Sequence, residues 1–442
     1  MKKIFIQKKL FIVSAAALLW ISSCAPSLEG VKPTSGTADF SKYIAIGNSL
    51  TAGYADGGLY LEGQRVAYPN LIAEQLQHVG GGAFNSPFFR EDQRNGSGYL
   101  RLKSLVNGQP VMENVIENLA IRGQNPNKKP LYTKHTEEIH NYGVPGMRMD
   151  MAFAPGIGTI MGNPFFERLL PDNTPQTYRY FDHVTKNDHT FFSFWLGNND
   201  VLGYASNGAV EDPLDPTTKL TSVAVFSQRF TEFITALTSK EQKGVLATIP
   251  DVTSVPYFTT VTRAALIKGV NDQLPPDKKI TDLYIESSTG KRTATDNDMF
   301  VLPFSSAGLL GSTSPTNPAP YGLHPGNPIA SKYILDPEEV LIIKQRVKEF
   351  NDIIKQAASS NKLALADAHD FLNKVKSPGI KYNNIDINAN FIKGNAFSLD
   401  GIHLTPMGNA IIANLFIDAI NKQYNSSISK VDASKYRAVI YP

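Results

Sequence analysis

Short apolar runs alternate with amphipathic stretches along most of the chain. Tyr43-Ile44-Ala45-Ile46, ended by Gly47, predicts a buried strand, and Thr190 to Leu196 predicts an aromatic-rich one ended by Gly197. Val245 to Thr248 and Leu363 to Ala366 predict two more. Tyr68 to His78 reads as a helix. Ser222 to Lys240 spaces Val223, Phe226, Phe230, Ile234 and Leu237 by threes and fours, the stripe of an amphipathic helix. The clearest helix runs from Asp336 to Ala357. Asp336 is the candidate N-cap, Pro337 suits the first turn, and Glu339 is placed for a capping box. Its buried stripe is Val340, Ile343, Val347, Phe350 and Ile354. Thr405-Pro406 opens a last helix through Ile420. Strand and helix in alternation predict a three-layer α/β domain with a mostly parallel sheet.

Two stretches break the rhythm. Residues 80–140 carry Gly80-Gly81-Gly82 and little periodicity, and residues 256–335 are rich in Pro, Ser, Thr and Gly. Both read as insertions near one face of the sheet. Their aromatic residues (Phe84, Phe88, Phe89, Tyr257, Phe258, Phe300, Phe304, Tyr321) could line an apolar site or fill the insertions' own small cores.

The hydrophobic fraction of 42% and charged fraction of 19% exclude a disordered chain and a polytopic membrane protein. The single cysteine excludes an internal disulfide framework. Its position changes the picture. Lys2, Lys3, Lys8 and Lys9 precede the apolar stretch Leu10 to Trp20, which is too short to span a bilayer comfortably. Ile21-Ser22-Ser23-Cys24 follows. This arrangement resembles the signal segment and lipobox of bacterial lipoproteins, in which the cysteine becomes the acylated N-terminus. The resemblance implies a signal peptide over 1–23, a lipidated Cys24 with a Pro/Ser/Gly/Thr tether over 24–38, and a domain over 39–442. Cleavage before Cys24 would remove four lysines and no acid, taking the formal net charge from +3 to −1. The basicity then belongs to export, and no nucleic-acid footprint remains. Ala25 and Pro26 carry no inner-membrane retention signal, so the expected location is the outer membrane of the cell envelope.

Candidate chemistry sits at the ends of predicted strands. Gly47-Asn48-Ser49-Leu50 places a serine where a strand turns into a helix, which would serve a nucleophile or a plain N-cap. Asp400-Gly401-Ile402-His403 puts a carboxylate three residues from an imidazole, the pair a serine needs to lose its proton. Gly197-Asn198-Asn199-Asp200 offers an amide donor for an oxyanion, and Asn141-Tyr142-Gly143-Val144-Pro145-Gly146 offers a glycine N–H. Glu137 and His140 repeat the acid–His spacing, so spacing alone does not single out a pair. His135, His140, His183 and His189 lack carboxylate partners at the ligand spacing a catalytic metal requires.

In this order the four blocks resemble those of the SGNH, or GDSL-type, serine hydrolases, and they span Tyr43 to Asn409. The resemblance implies a flavodoxin-like fold and hydrolysis of carboxylic esters without metal or organic cofactor. Carried over, Ser49 is the nucleophile, His403 the general base and Asp400 its orienting acid. The oxyanion hole is Ser49 N–H, Gly146 N–H and the Asn199 side chain, with Gly143 the competing glycine. Glu137/His140 precedes the glycine block and so has the wrong order. One position departs: Asn48 stands where the family usually has aspartate, keeping an acceptor but losing the charge. The expected protein is a lipid-anchored esterase acting on lipid or acylated carbohydrate; a non-catalytic glycan- or lipid-binding lipoprotein on the same fold is the alternative. Oligomeric state is not legible.

Overall fold

The computed structural model describes residues 32–106 and 109–442. The signal segment and Cys24 lie outside the described residues. Thr34 to Pro442 forms one unit.

Five parallel strands make the central sheet: β1 (Tyr43–Gly47), β2 (Asn141–Gly143), β3 (Phe191–Trp195), β4 (Lys243–Ala247) and β5 (Ala364–Ala366). Their spatial order is β5-β4-β3-β1-β2. All five residues of β1 and of β3 are buried, as expected of strands covered on both faces. The helices that matter here are α1 (Ser49–Ala52), α2 (Tyr68–Gln77), α3 (Asn199–Ser206), α4 (Val223–Leu237), α5 (Pro337–Ser360), α6 (Ala368–Lys376) and α7 (Pro406–Tyr424).

Alternation along β3 shows the layering. Trp195 meets Tyr68 of α2 and Phe416 of α7, and Phe191 meets Tyr424 of α7. Phe194, on the opposite face, meets Phe230 and Phe233 of α4. Phe226 of α4 then stacks on Phe350 of α5, with ring centroids 3.9 Å apart. The fold is thus the three-layer α/β architecture that the alternating pattern predicts.

The helix ends follow from local chemistry. At α5, Asp336 Oδ1 accepts from Glu339 N–H and Glu339 Oε2 accepts from Asp336 N–H, a reciprocal capping box. At α7, Thr405 Oγ1 accepts from Gly408 N–H and Pro406 occupies the first turn. α7 continues to Tyr424, four residues past the predicted end, before Asn425 stops it at φ 52°.

The two insertions carry structure that the pattern did not reveal. The first holds the hairpins Tyr99–Val106/Gln109–Val115 and Ile121–Gln124/Pro130–Tyr132. The second holds the hairpin Tyr284–Ser287/Gly290–Thr293 and a helix over Arg263–Asn271. Most of their aromatic residues pack inward. Phe258, Phe300 and Phe304 join the main core, Phe84 stacks on Tyr43, and Phe89 shares a small core with Leu59 and Tyr132. Thr34 to Ala38, placed in the tether by sequence, lie along the end of α7, where Thr37 N–H donates to Tyr424 O at 2.9 Å.

Candidate active site

The chain passes from β1 to β2 on one side, then to β3, β4 and β5 on the other. The sheet order therefore reverses at β1, and the crevice beyond the carboxyl ends of β1 and β3 is where an open α/β sheet binds ligands. Ser49 follows β1 directly and Asn199 follows β3, and the register pairs Gly47 with Trp195.

Glycine is required at the end of β1. A Cβ on Gly47 would lie 2.0 Å from Thr51 Oγ1 and 2.6 Å from Trp195 O. The turn then starts α1, with Asn48 as its N-cap accepting from Leu50 N–H at 3.2 Å. The Asn48 side chain is buried and its Nδ2 has no hydrogen-bond partner among the described residues. Here the usual family aspartate would keep the cap without the orphaned donor.

Ser49 Oγ lies 2.8 Å from His403 Nε2, and His403 Nδ1 lies 2.9 Å from Asp400 Oδ2. With Nδ1–H donating to the carboxylate, Nε2 is left to accept the serine proton. Asp400 Oδ1 also accepts from Ile402 N–H and His403 N–H, both at 2.8 Å, and Oδ2 accepts from Gly57 N–H at 2.8 Å. Burial alone would push the Asp400 carboxyl up. The adjacent imidazole and these N–H donors outweigh it and hold the group far below the usual carboxylate range. The loop is tight because Gly401 adopts φ 73°, and Ser398 N–H donates to His403 O across it. The second insertion braces the loop from outside, with Tyr257 N–H donating to Gly401 O at 2.9 Å.

The oxyanion candidates differ in their freedom. Gly143 N–H is engaged by Asn141 Oδ1 at 2.9 Å, whereas Gly146, at φ 77°, has an N–H with no acceptor among the described residues. Gly143 has another job: a Cβ there would lie 2.3 Å from Ala52 N, so its bareness lets α1 sit against β2. Asn199 Nδ2 donates to Met147 O at 2.9 Å, which ties the Asn199 block to the residue after Gly146 and leaves the second Nδ2 proton for another acceptor. The Glu137/His140 pair is elsewhere: His140 Nδ1 accepts from Asn85 N–H and its ring stacks on Phe84.

Three supporting groups escaped the sequence reading. Arg148, 1% exposed, donates to Asn199 O at 3.1 Å, to Thr221 Oγ1 and to both Asp150 oxygens. Asp200, fully buried, accepts from Met149 N–H at 2.7 Å and Thr221 Oγ1–H at 2.8 Å. Together they clamp the Gly146 loop to the Asn199 turn. Burial pushes the Asp200 carboxyl up, and the Arg148 charge offsets part of the rise. The third is Asp56. Ala55 to Gly58 is a two-residue hairpin turn whose central residues, Asp56 and Gly57, both have positive φ, 53° and 75°. Asp-Gly is the sequence signature of that turn and could have located it. Asp56 N–H donates to Ser398 Oγ at 2.9 Å and Tyr60 Oη–H donates to Asp56 Oδ2 at 2.7 Å. Burial pushes the Asp56 carboxyl up, with the Asp400 charge adding to the rise.

A parallel sheet with its candidate site at the reversal point is the architecture of an α/β hydrolase, and a Ser–His–Asp array lies there. The profile of GDSL-like lipases/acylhydrolases matches residues 43–416, and the chain belongs to that family. Ester hydrolysis is the chemistry this membership supports. No curated protein matches the chain. Among solved structures it is similar to an alpha/beta hydrolase enzyme from the metagenome of Lake Arreo, Spain, at 12% identity and TM-score 0.35, covering 87% of this chain and 96% of that one. It is also similar to a variant of an acetyl-xylooligosaccharide esterase from Geobacillus Stearmophilus, at 11% identity and TM-score 0.34, covering 87% and 96%. A lipase/acylhydrolase from Enterococcus faecalis aligns at 11% identity and TM-score 0.31, covering 88% and 99%. The family match carries the assignment; likenesses of this size add nothing to it.

Proposed function

We propose that the protein is an exported, lipid-anchored serine esterase of the bacterial cell envelope. The observation that carries the catalytic part is the unbroken line from Ser49 Oγ through His403 to the Asp400 carboxylate, at 2.8 and 2.9 Å. Ser49 Oγ attacks the ester carbonyl carbon while His403 Nε2 takes its proton. The carbonyl oxygen becomes an oxyanion held by Ser49 N–H, Gly146 N–H and the free proton of Asn199 Nδ2. When the intermediate collapses, the bond to the alcohol oxygen breaks and His403 returns the proton to that oxygen. Water then gives a proton to His403 as its oxygen attacks the acyl carbon. The second collapse releases the carboxylic acid and restores Ser49 Oγ–H. Asp400 stays ionised throughout and stabilises the imidazolium that forms.

The cellular part rests on the sequence. The basic start, short apolar stretch and Ile21-Ser22-Ser23-Cys24 support cleavage after residue 23, acylation of Cys24 and anchoring in the outer membrane, with the hydrolase domain from about residue 39 onward. The substrates are carboxylic esters of lipids or acylated carbohydrates.

The test is labelling of the purified chain with a fluorophosphonate probe beside a Ser49→Ala control. A tag on the Ser49 peptide, absent in the control and accompanied by ester turnover, is the expected result. Equal turnover in both proteins would overturn the serine mechanism. For the anchor, radiolabelled palmitate should mark the wild type in cells and not Cys24→Ser, which should leave the membrane fraction.

A further inference from the structure

Beside Ser49 and His403 lies a narrow slot of about 40 Å³. Its mouth carries Asn48, Ser49, Asn199 and His403. Its walls are mostly apolar, with Leu202 of α3, Val252 and Val255 beyond β4, Leu372 of α6, and Phe397 and Leu404 on either side of the Asp400 to His403 loop, and the buried Asn198 as a polar exception. All but Leu202 are buried, so the walls belong to the core and cannot swing aside freely.

We infer, on the footing of the serine-esterase reading above, that this slot receives the acyl group and restricts the enzyme to short acyl chains, acetyl through about butyryl. Three physical points carry this. The first is size. A water-sized group needs about 10–15 Å³ of such space, so the slot holds about three of them. That accommodates the carbons of a short acyl group and no more.

The second is polarity. Apart from Asn48 and Asn198, each with one buried side-chain atom unpartnered among the described residues, the slot beyond Ser49, Asn199 and His403 offers a hydroxyl no partner, and burying one unpaired is costly. A sugar or glycerol moiety carries more hydroxyls than these two amides can pair and is therefore disfavoured, while methyl and methylene groups are welcome. The third is the reaction itself. After the alcohol departs, water must reach the same carbonyl carbon. The alcohol side must consequently open to solvent, whereas the acyl side can stay filled from attack to release. A confined apolar slot suits the part that stays. The alcohol, outside it, is free to be large and polar, so the favoured substrates are acetylated or similarly short-acylated alcohols rather than long-chain lipids.

The experiment is a chain-length series of p-nitrophenyl esters on the purified full chain, with Ser49→Ala, Leu372→Ala and Leu202→Ala beside the wild type. Circular dichroism confirms that each variant folds. The slot predicts the highest kcat/KM at acetate to butyrate and a fall of about tenfold or more for each methylene the slot cannot hold. Leu372→Ala should move the optimum to longer chains, and Leu202→Ala, at a less buried wall, offers the same shift with less risk to folding. A Ser49-dependent enzyme with a flat or long-chain profile overturns the slot alone. So do folded Leu372→Ala and Leu202→Ala proteins with an unmoved optimum, or variants that shift preference among alkyl acetates of differing alcohol instead. Activity that survives Ser49→Ala overturns the slot and the serine mechanism together.

Discussion

Asp56 Oδ1 accepts the N–H of Leu399 at 2.9 Å, although 343 positions separate them. The residue sits in the turn just after α1 and reaches the loop that carries Asp400 and His403. Its neighbour Gly57 donates directly to Asp400 Oδ2, and its own N–H reaches Ser398, whose hydroxyl lies 3.2 Å from Asp400 Oδ1. One turn thus fixes the distance between the Ser49 segment and the Asp400 to His403 loop, the two halves of the proposed catalytic array.

Asp56 should behave as a positioning residue. Asp56→Ala leaves Leu399 N–H and Tyr60 Oη–H without partners, at about 1–3 kcal/mol each. Steady-state kinetics should show kcat down by about tenfold or more with KM little changed. Asp56→Asn keeps an acceptor for Leu399 and should recover most of kcat. A variant that alters KM alone would place Asp56 at the substrate instead.

Asp400→Asn should lower kcat by about four orders of magnitude, because the imidazole loses the partner that sets its tautomer. It should also change the response to acid. The folded carboxyl ionises well below its ordinary 3.8, so its ionised form stabilises the fold above that value. The contribution is lost as the pH falls through the depressed folded value. Urea unfolding should therefore show the widest gap between wild type and variant at neutral pH, narrowing below about pH 4.

His183 sets a second acid response. Its ring is buried among Tyr142, Phe166 and Tyr178, and Nε2 has no partner among the described residues. Burial, helped by Lys186, pushes it down from 6.5 to about 3. Between those values the unfolded chain binds a proton that the folded chain refuses, so stability falls as the pH drops below 6.5. One such site contributes a slope of up to about 1.4 kcal/mol per pH unit. His183→Phe should flatten the decline between about pH 6.5 and 5 in thermal melts, while turnover at neutral pH is kept.

The two glycines of the third block should part company. Gly143→Ala drives a Cβ into the backbone of α1 and should cost about 1–3 kcal/mol or more of stability. Gly146→Ala meets nothing closer than Asn163 Nδ2 at 3.5 Å, and its φ of 77° adds only local strain. It should cost about 1–2 kcal/mol for the left-handed φ without displacing α1, and should also lower kcat, which chemical denaturation and kinetics on the same samples will separate.

What could be read from the sequence was local. The β1 turn at Ser49, the Asp400 to His403 loop and the α5 capping box each lie within a few residues, so their chemistry shows in the residue order. β2 escaped because it is three residues long, lies at the sheet edge and carries Asn and Gly rather than an apolar run. Arg148, Asp200 and Asp56 escaped for a different reason. The partners that join them to the site lie 21 to 343 positions away, and only the Asp-Gly pair at Asp56 marks a turn in the flanking residues. The insertions were recognised as irregular, but their aromatic residues join cores whose other members come from distant segments.

The 354 positions between Ser49 and His403 have a consequence for a chain made from one end to the other. A ribosome delivers the serine, the sheet and the glycine and asparagine blocks long before the histidine exists. Every nascent fragment that ends before the Asp400 to His403 loop, and every proteolytic product that has lost it, carries Ser49 without His403. On the proposed serine-esterase reading, the ability to cut esters therefore arrives all at once, when the Asp400 to His403 loop does.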